Sequence, residues 1–342
     1  MIIIERAKNH FANHLPFVLY RKPQEELLNG VFQLDNQWHN FTGQNGFVFQ
    51  SFDNQSNYCL PDDFSTRDQE LIIENHLQFS PQKYQINHAN EAFIFKEIVK
   101  KAINRIENNQ IEKVVISREI SANIDQGFDI FKSFQNALLT YKDALVYIFY
   151  HPNIGAWLGA TPELLLKTEG QTFETMSLAG TKLAQESTDW TLKEKHEQNI
   201  VTEYIISTLN NFSEDIVATE AASKQAGQLV HLHSSITGTF KEETSAMNLL
   251  QVLHPTPAVV GLPKKDALAF INENEAYERH FYTGFLGVNN VYKSEFYVNL
   301  RCLSFVNKQL KIYVGCGITK DSQPLKEFEE TVNKSKTMLN IL

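Results

Sequence analysis

The sequence predicts an α+β fold built on large antiparallel sheets. Strand-like and helix-like segments are mixed along the chain rather than alternating as βαβ units, and hairpin patterns outnumber crossover patterns. The segments from residue 280 to 318 read as three successive antiparallel strands. No repeat, low-complexity segment or strong linker divides the 342 residues, so one extended domain is the expectation.

Residues 1 to about 90 are rich in Asn, Gln, Phe and Asp, with short apolar clusters such as Gly46-Phe47-Val48-Phe49. They read as short strands and loops without a chemical motif. Helical spacing begins at Asn90, where Phe95, Ile98, Val99, Ala102 and Ile106 form one stripe, and Asn108-Asn109 ends it. The next segment, EKVVISREI, is a strand with Lys113, Val115 and Ser117 on one face and Val114, Ile116 and Arg118 on the other. Phe128 to Tyr141 reads as a helix and Ala144 to Tyr150 as a near-continuous apolar strand. GAWLGATPELLLKTEG and QTFETMSLAGTK follow as two strands around Glu169-Gly170. Thr188 to Asn210 is a long helix, Ala218 to Ser223 and Leu229 to Thr237 are strands, and Met247 to Leu253 opens a helical turn before HPTPAVVGLPKKDA. The strands FYTGFLGVNN, EFYVNLRCLSF and LKIYVGCGI then lead into a C-terminal amphipathic helix. Asp321 and Ser322 are its candidate caps and Pro324 suits its first turn.

Composition excludes several classes. Hydrophobic content of 42% with 21% charged residues is enough for a sizeable core. A net charge of −9 with no Lys or Arg run argues against nucleic acid and anionic membrane surfaces as partners. Cys59, Cys302 and Cys316 are an odd number without CxxC spacing, which argues against a disulfide framework or a zinc cluster. MIIIERAKNHF reaches charged residues after three isoleucines, so no signal-peptide core is expected, and no apolar run approaches the ~20 residues of a membrane span. A soluble cytoplasmic protein is the expectation.

The candidate chemistry begins at the C-terminal helix. Glu327, Glu330 and Lys334 share a face at i, i+3 and i+7, shortly after Gly315-Cys316-Gly317, and glycines ahead of a helix N-terminus favour an anion. The apolar stripe Leu325, Phe328, Val332 and Leu339 lies opposite Glu330, and Glu330 to Lys334 is also the favourable order for an exposed ion pair. The long central helix repeats the pattern with Glu194 and Glu197. Glu197 continues a partly apolar stripe with Val201, Tyr204 and Thr208, so it is either metal-bound or the exposed end of that stripe, paired with Lys193 or His196. Two Glu-x-x-Glu helices could hold one hard cation, and oxygen-only ligands favour Mg2+. Lys113 is either a snorkelling edge lysine or a buried base. Glu163, after Thr161-Pro162, is either a turn carboxylate or a catalytic acid. Arg301 needs an anion, from a carboxylate side chain or a substrate, and His254 also reads as a residue that fixes a loop.

Taken together, KVVISR, GATPELLL, SLAGTK, KEKHEQNIV, LHPTPAVVGLP, ERHFYTGFLG, VNLRCL and GCGITKDSQPLKEFEETVNKSKTML resemble the chorismate-utilising enzymes, a family of isochorismate, salicylate, anthranilate and aminodeoxychorismate synthases. The eight blocks stand in that family's order from about Phe95 to the C-terminus. The resemblance implies an α/β sandwich of antiparallel sheets with outer helices. It also implies a divergent N-terminal part of the same fold (residues 1–90) and a chorismate-binding catalytic domain (residues 91–342). It implies Mg2+ on Glu197 and Glu330, with Glu194 and Glu327 holding metal-bound waters. Arg301, Lys334, Gly315 and Gly317 would meet the substrate carboxylates, and Gly180, Thr181, His254 and Tyr282 match further substrate contacts. Lys113 matches the lysine that activates water in the isochorismate- and salicylate-forming branches. Ala179 stands where aminodeoxychorismate synthases carry a nucleophilic lysine, and no glutaminase subunit is expected. The resemblance therefore implies water attack at C2 of chorismate with Lys113 as base and Glu163 as acid toward the C4 hydroxyl. The product would be isochorismate, for menaquinone or catechol siderophore synthesis, or, with pyruvate elimination added, salicylate.

Overall fold

A computed structural model describes the chain except residues 78, 82–88, 123, 125–126, 184–188 and 227–228. The first part runs α1 (Ile2–Ala12), β1 (Phe17–Arg21), β2 (Leu27–Gln33), β3 (Gly46–Gln50), β4 (Asn57–Pro61), β5 (Ser65–Leu71), α2 (Ala89–Glu107) and β6 (Lys113–Ala122). The middle runs α3 (Ile130–Thr140), β7 (Leu145–His151), β8 (Gly155–Thr161), β9 (Leu164–Glu169), β10 (Thr172–Leu183), α4 (Leu192–Leu209), β11 (Ser213–Ala218), β12 (Ala222–Ala226) and β13 (Leu229–Phe240). The last part runs α5 (Ala246–Leu253), β14 (Gly261–Leu262), α6 (Lys264–Asn274), β15 (Phe285–Asn289), β16 (Lys293–Val298), β17 (Cys302–Val306), β18 (Gln309–Ile318) and α7 (Pro324–Leu339).

The strands form two sheets with antiparallel pairing. The first has the order β14-β6-β18-β17-β8-β7-β1-β2-β5; the second has β11-β13-β10-β9-β16-β15-β3-β4, with β12 also paired to β13. Strands from the first 71 residues thus extend one end of both sheets. Period-two alternation explains how one strand serves two cores. On β7, Tyr147 and Phe149 face the layer between the sheets with Phe47, Phe49, Trp157 and Leu286, whereas Val146 and Ile148 face outward. That outer face is covered by Ile3 and Ile4 of α1, Phe134 of α3 and Met338 of α7. A third cluster packs Val99 of α2, Val201 and Ile205 of α4, Leu250 of α5 and Phe270 of α6 against Leu166, Phe173 and Ile236. This is the expected α+β architecture of large antiparallel sheets with outer helices.

Five local features differ from the expectation; in one, the strand expected over Ala218 to Ser223 is broken by the connection of residues 219–221 between β11 and β12. Residues 2–12 are a helix, α1, because Ile3, Ile4 and Ala7 fall on one buried face while Ile2 stays exposed. Residues 264–274 form a further helix, α6, in a stretch without a helical assignment. The segments GAWLGATPELLL and EFYVNLRCLSF are each two strands in two different sheets. Proline has no N–H to donate to a ladder, so Pro162 ends β8; Arg301, at φ +47°, turns the chain out of β16 into β17. Finally, α7 starts at Pro324 with Gln323 as N-cap and no side-chain cap; the Ser322 hydroxyl instead accepts from the Thr319 N–H at 3.1 Å.

Candidate active site

An open cavity brings together Lys113, Glu163, Gly180, Glu197, Tyr282, Arg301, Gly315, Gly317, Glu330 and Lys334. Alternation on β6 sends Lys113 and Val115 into it and Val114 and Ile116 into the core. Lys113 is 1% exposed, and its Nζ lies 3.0 Å from Glu197 Oε1 on α4. Gly317, opposite Val115 on β18, leaves the space for this pair: a Cβ there would sit 2.3 Å from Glu197 Oε1 and 3.0 Å from Lys113 Cε. Lys334 Nζ on α7 donates to the Gly315 carbonyl at 2.9 Å and pairs with Glu330 Oε1 at 2.7 Å. Both glycines therefore act from within β18, by the room they leave and by a carbonyl, and not at the N-terminus of α7 as the sequence suggested.

Glu163 follows Pro162 where the chain passes from β8 to β9 and is 4% exposed. Burial raises its carboxyl to about 7, against the downward pull of Lys113, Lys334 and Arg301. Desolvation wins over three nearby cations, so the carboxyl is half-protonated near neutral pH.

Arg301 donates from Nη1 to Thr337 Oγ1 at 3.1 Å and from Nη2 to His231 Nε2 at 3.3 Å. A guanidinium only donates, so Nε2 of His231 accepts, and Nδ1 donates to the Gly180 carbonyl at 2.8 Å. That is the neutral imidazole, in keeping with a pKa lowered to about 3 by burial and by Arg301. The Gly180 carbonyl is aimed at His231 by a bulge: the register slips between Ala179 and Lys182 against Leu232 and Val230, with Gly180 at φ +65°. Of Thr181 only the backbone, in β10, is described. Tyr282 stacks on Tyr313 with ring centroids 5.5 Å apart.

Three sequence candidates do not line the cavity. His254 ends α5 and packs edge-on against Phe285, 5.0 Å away, with burial lowering its pKa to about 3. Its loop reaches the cavity through Ala258 and Val259 instead. Glu194 completes a capping box with Thr191, accepting the Thr191 N–H at 2.7 Å. Glu327 is buried on α7 at 2% exposure. His231, Val259, Leu178 and Tyr313 line the cavity and were missed. For His231 the only signal was an alternating strand, VHLHSSI, that puts His231 and His233 on one face.

Among the described residues no three His, Cys, Asp or Glu side chains gather as a complete metal site. The cavity does hold two carboxylates from different helices, Glu197 and Glu330, with no His among the candidate ligands. One or two carboxylates completed by water and substrate oxygens is the coordination Mg2+ favours, so the donor set fits that ion.

With this geometry in place, the chain belongs to the family of chorismate binding enzymes, whose pattern matches residues 39–342. It is 31% identical over 265 residues to isochorismate synthase EntC of Escherichia coli (strain K12), covering 73% of this chain and 67% of that one. Its fold resembles DhbC from Bacillus anthracis, with a TM-score of 0.82 at 22% identity over 99% of each chain. It also resembles MenF, the menaquinone-specific isochorismate synthase from Escherichia coli, with a TM-score of 0.80 at 19% identity, covering 96% of this chain and 88% of that one.

Proposed function

We propose that the protein is an isochorismate synthase, an isomerase that converts chorismate to isochorismate with Mg2+. The observation that carries this reading is the pairing in one cavity of a buried lysine with a buried carboxyl raised to about 7. A pure binder needs neither, whereas moving a hydroxyl from C4 to C2 needs a base at one carbon and an acid at the other. The similarity to EntC supports the same reaction.

In the proposed mechanism, Arg301 and Lys334 receive substrate carboxylates. Lys113, as the base, takes a proton from a water that forms the new C2–O bond. Protonated Glu163 donates to the C4 hydroxyl, which leaves as water while both ring double bonds shift. Water in equals water out, so the reaction is an isomerisation. Glu197 and Glu330 would hold the divalent cation, which supplies positive charge that offsets the carboxylates of protein and substrate. His231 holds the Arg301 guanidinium, and the apolar walls at Val115, Val259 and Leu300 exclude bulk water from the ring. The reading carries with it a cytoplasmic enzyme acting without a glutaminase subunit.

The test is a product assay with purified protein, chorismate and either Mg2+ or EDTA, resolved by chromatography. Isochorismate formed only with Mg2+ is expected. Salicylate plus pyruvate would replace the proposed activity by a salicylate synthase, and no conversion would refute an enzymatic role on chorismate.

A further inference from the structure

Lys113 and Val115 sit on a strand whose outer neighbour is too short. β14 pairs with β6 only at Lys113 and Val114, and just past it the Val115 N–H reaches the Val260 carbonyl at 2.8 Å. Beyond that point the edge of β6 is completed by side chains. Glu275 Oε1 accepts the Ser117 N–H at 2.7 Å and the Ser117 hydroxyl at 2.8 Å. Arg279 Nη2 donates to the Val115 carbonyl at 2.8 Å, and Nη1 donates to the Val259 carbonyl at 2.8 Å. The two side chains are bound to each other through Nη2–Oε1 at 2.6 Å and Nε–Oε2 at 2.8 Å. Both are almost fully buried, at 2% and 3% side-chain exposure. Burial alone would pull the Arg279 guanidinium down, yet Glu275, with Tyr277 and Tyr282, raises it above its ordinary value.

We propose that the Glu275–Arg279 pair is a positioning unit for the reaction, standing in for the missing strand and fixing Lys113 and Val115 against Val259, Tyr282 and Thr283. The link to the far wall is direct, because the Arg279 carbonyl accepts the Tyr282 N–H at 2.9 Å. Tyr277 adds a second tie, its hydroxyl 2.6 Å from Ser117 Oγ while its ring stacks toward Tyr313. Neither charged group lines the cavity, so they act through the backbone of β6 and of the 258–260 segment. A planar fork is required, since one guanidinium spans two carbonyls and a carboxylate at once.

This inference rests on the proposed isomerase activity, and wild-type enzyme in the same assay separates the two. Arg279→Lys keeps the charge and loses the fork. Misplacement of a catalytic group by about 1 Å costs on the order of 100-fold, so kcat should fall 10- to 100-fold with KM within about threefold. Because a lone buried charge can prevent folding, the paired Glu275→Leu/Arg279→Met protein removes both charges together, and the same kcat loss is expected in it. A purely structural pair would lower Tm yet leave kcat per folded molecule unchanged at 10 °C in both proteins, and that result overturns the inference. Absent wild-type turnover would instead refute the parent activity.

Discussion

Replacing Glu163 by Gln tests the site through stability as well as through activity. Glutamine is close in shape and stays neutral, so the variant mimics the protonated acid at every pH. In the wild type the carboxyl rises from 4.5 unfolded to about 7 folded because burial disfavours its charge. A raised acid stabilises the fold below its unfolded pKa, and this contribution is lost as pH climbs through the folded pKa. At 1.36 kcal/mol per unit, the wild type loses about 3 kcal/mol between pH 4.5 and pH 8 that the variant retains. Unfolding entropy is ~2.1 cal/mol/K per residue, so for a chain this long the gap is about 4 °C in Tm. Melting both proteins from pH 4.5 to 8.5 without metal should show matched Tm at the acid end and a more stable variant above pH 7. The difference between the two curves cancels the titration of every other group. Parallel curves, or a variant less stable at pH 8, would refute the account of Glu163 as a desolvated acid. The same variant should lose turnover by about 10²- to 10⁴-fold, since it has no proton to give. Wild-type kcat should decline as pH rises through about 7.

Two further substitutions address the opposite wall. Lys113→Ala removes the proposed base, and steady-state kinetics should show kcat lower by about 10²- to 10⁴-fold with an unchanged circular dichroism spectrum; near-normal turnover would remove Lys113 from the mechanism. Gly317→Ala puts a methyl 2.3 Å from Glu197 Oε1 without requiring a positive φ. Calorimetric Mg2+ titration should weaken by about tenfold, the 1.4 kcal/mol cost of one displaced ligand, with little change in Tm. Unaltered Mg2+ affinity would dissociate Glu197 from the metal.

Much of the sheet architecture was legible because strand periodicity survives burial on one face. β6 is the clearest example, since the alternation of Lys113 and Val115 with Val114 and Ile116 already sorted cavity from core. The sheet crossings were not legible. EFYVNLRCLSF reads as one strand because nothing in its alternation marks that Arg301 adopts a positive φ and hands the chain to the other sheet. The candidate acids and cations could be named from their blocks, but not their partners. His231 and Gly180 meet only because a bulge places two residues opposite one, and a bulge leaves no periodic trace. Glu194 shows the converse: beside its i, i+3 spacing to Glu197 it also stands three residues after Thr191, the spacing of a capping box, and that cap is formed.

The two sheet crossings explain why charge is tolerated at the centre of this sandwich. β8 passes into β9 at Thr161-Pro162-Glu163, and β16 passes into β17 at Asn299-Leu300-Arg301, and the two passages are bonded side by side. The Val298 N–H donates to the Glu163 carbonyl at 3.0 Å, Thr161 Oγ1 donates to the Val298 carbonyl at 2.6 Å, and the Ala160 N–H donates to the Arg301 carbonyl at 3.0 Å. Backbone groups that leave their ladders at a crossing would be costly if left unpaired, and here each satisfies the other. Strands that diverge toward different layers also cannot close the space between them, so a cavity opens at that point, and the side chains that enter it come from the crossing residues. Glu163 and Arg301 are thereby delivered to the same cavity by a rigid backbone, while Lys113, Glu197, Glu330 and Lys334 come from the flanking strand and helices. The fold supplies the buried, water-poor surroundings that lift the carboxyl to about 7, and the paired crossings supply the position from which it can donate its proton.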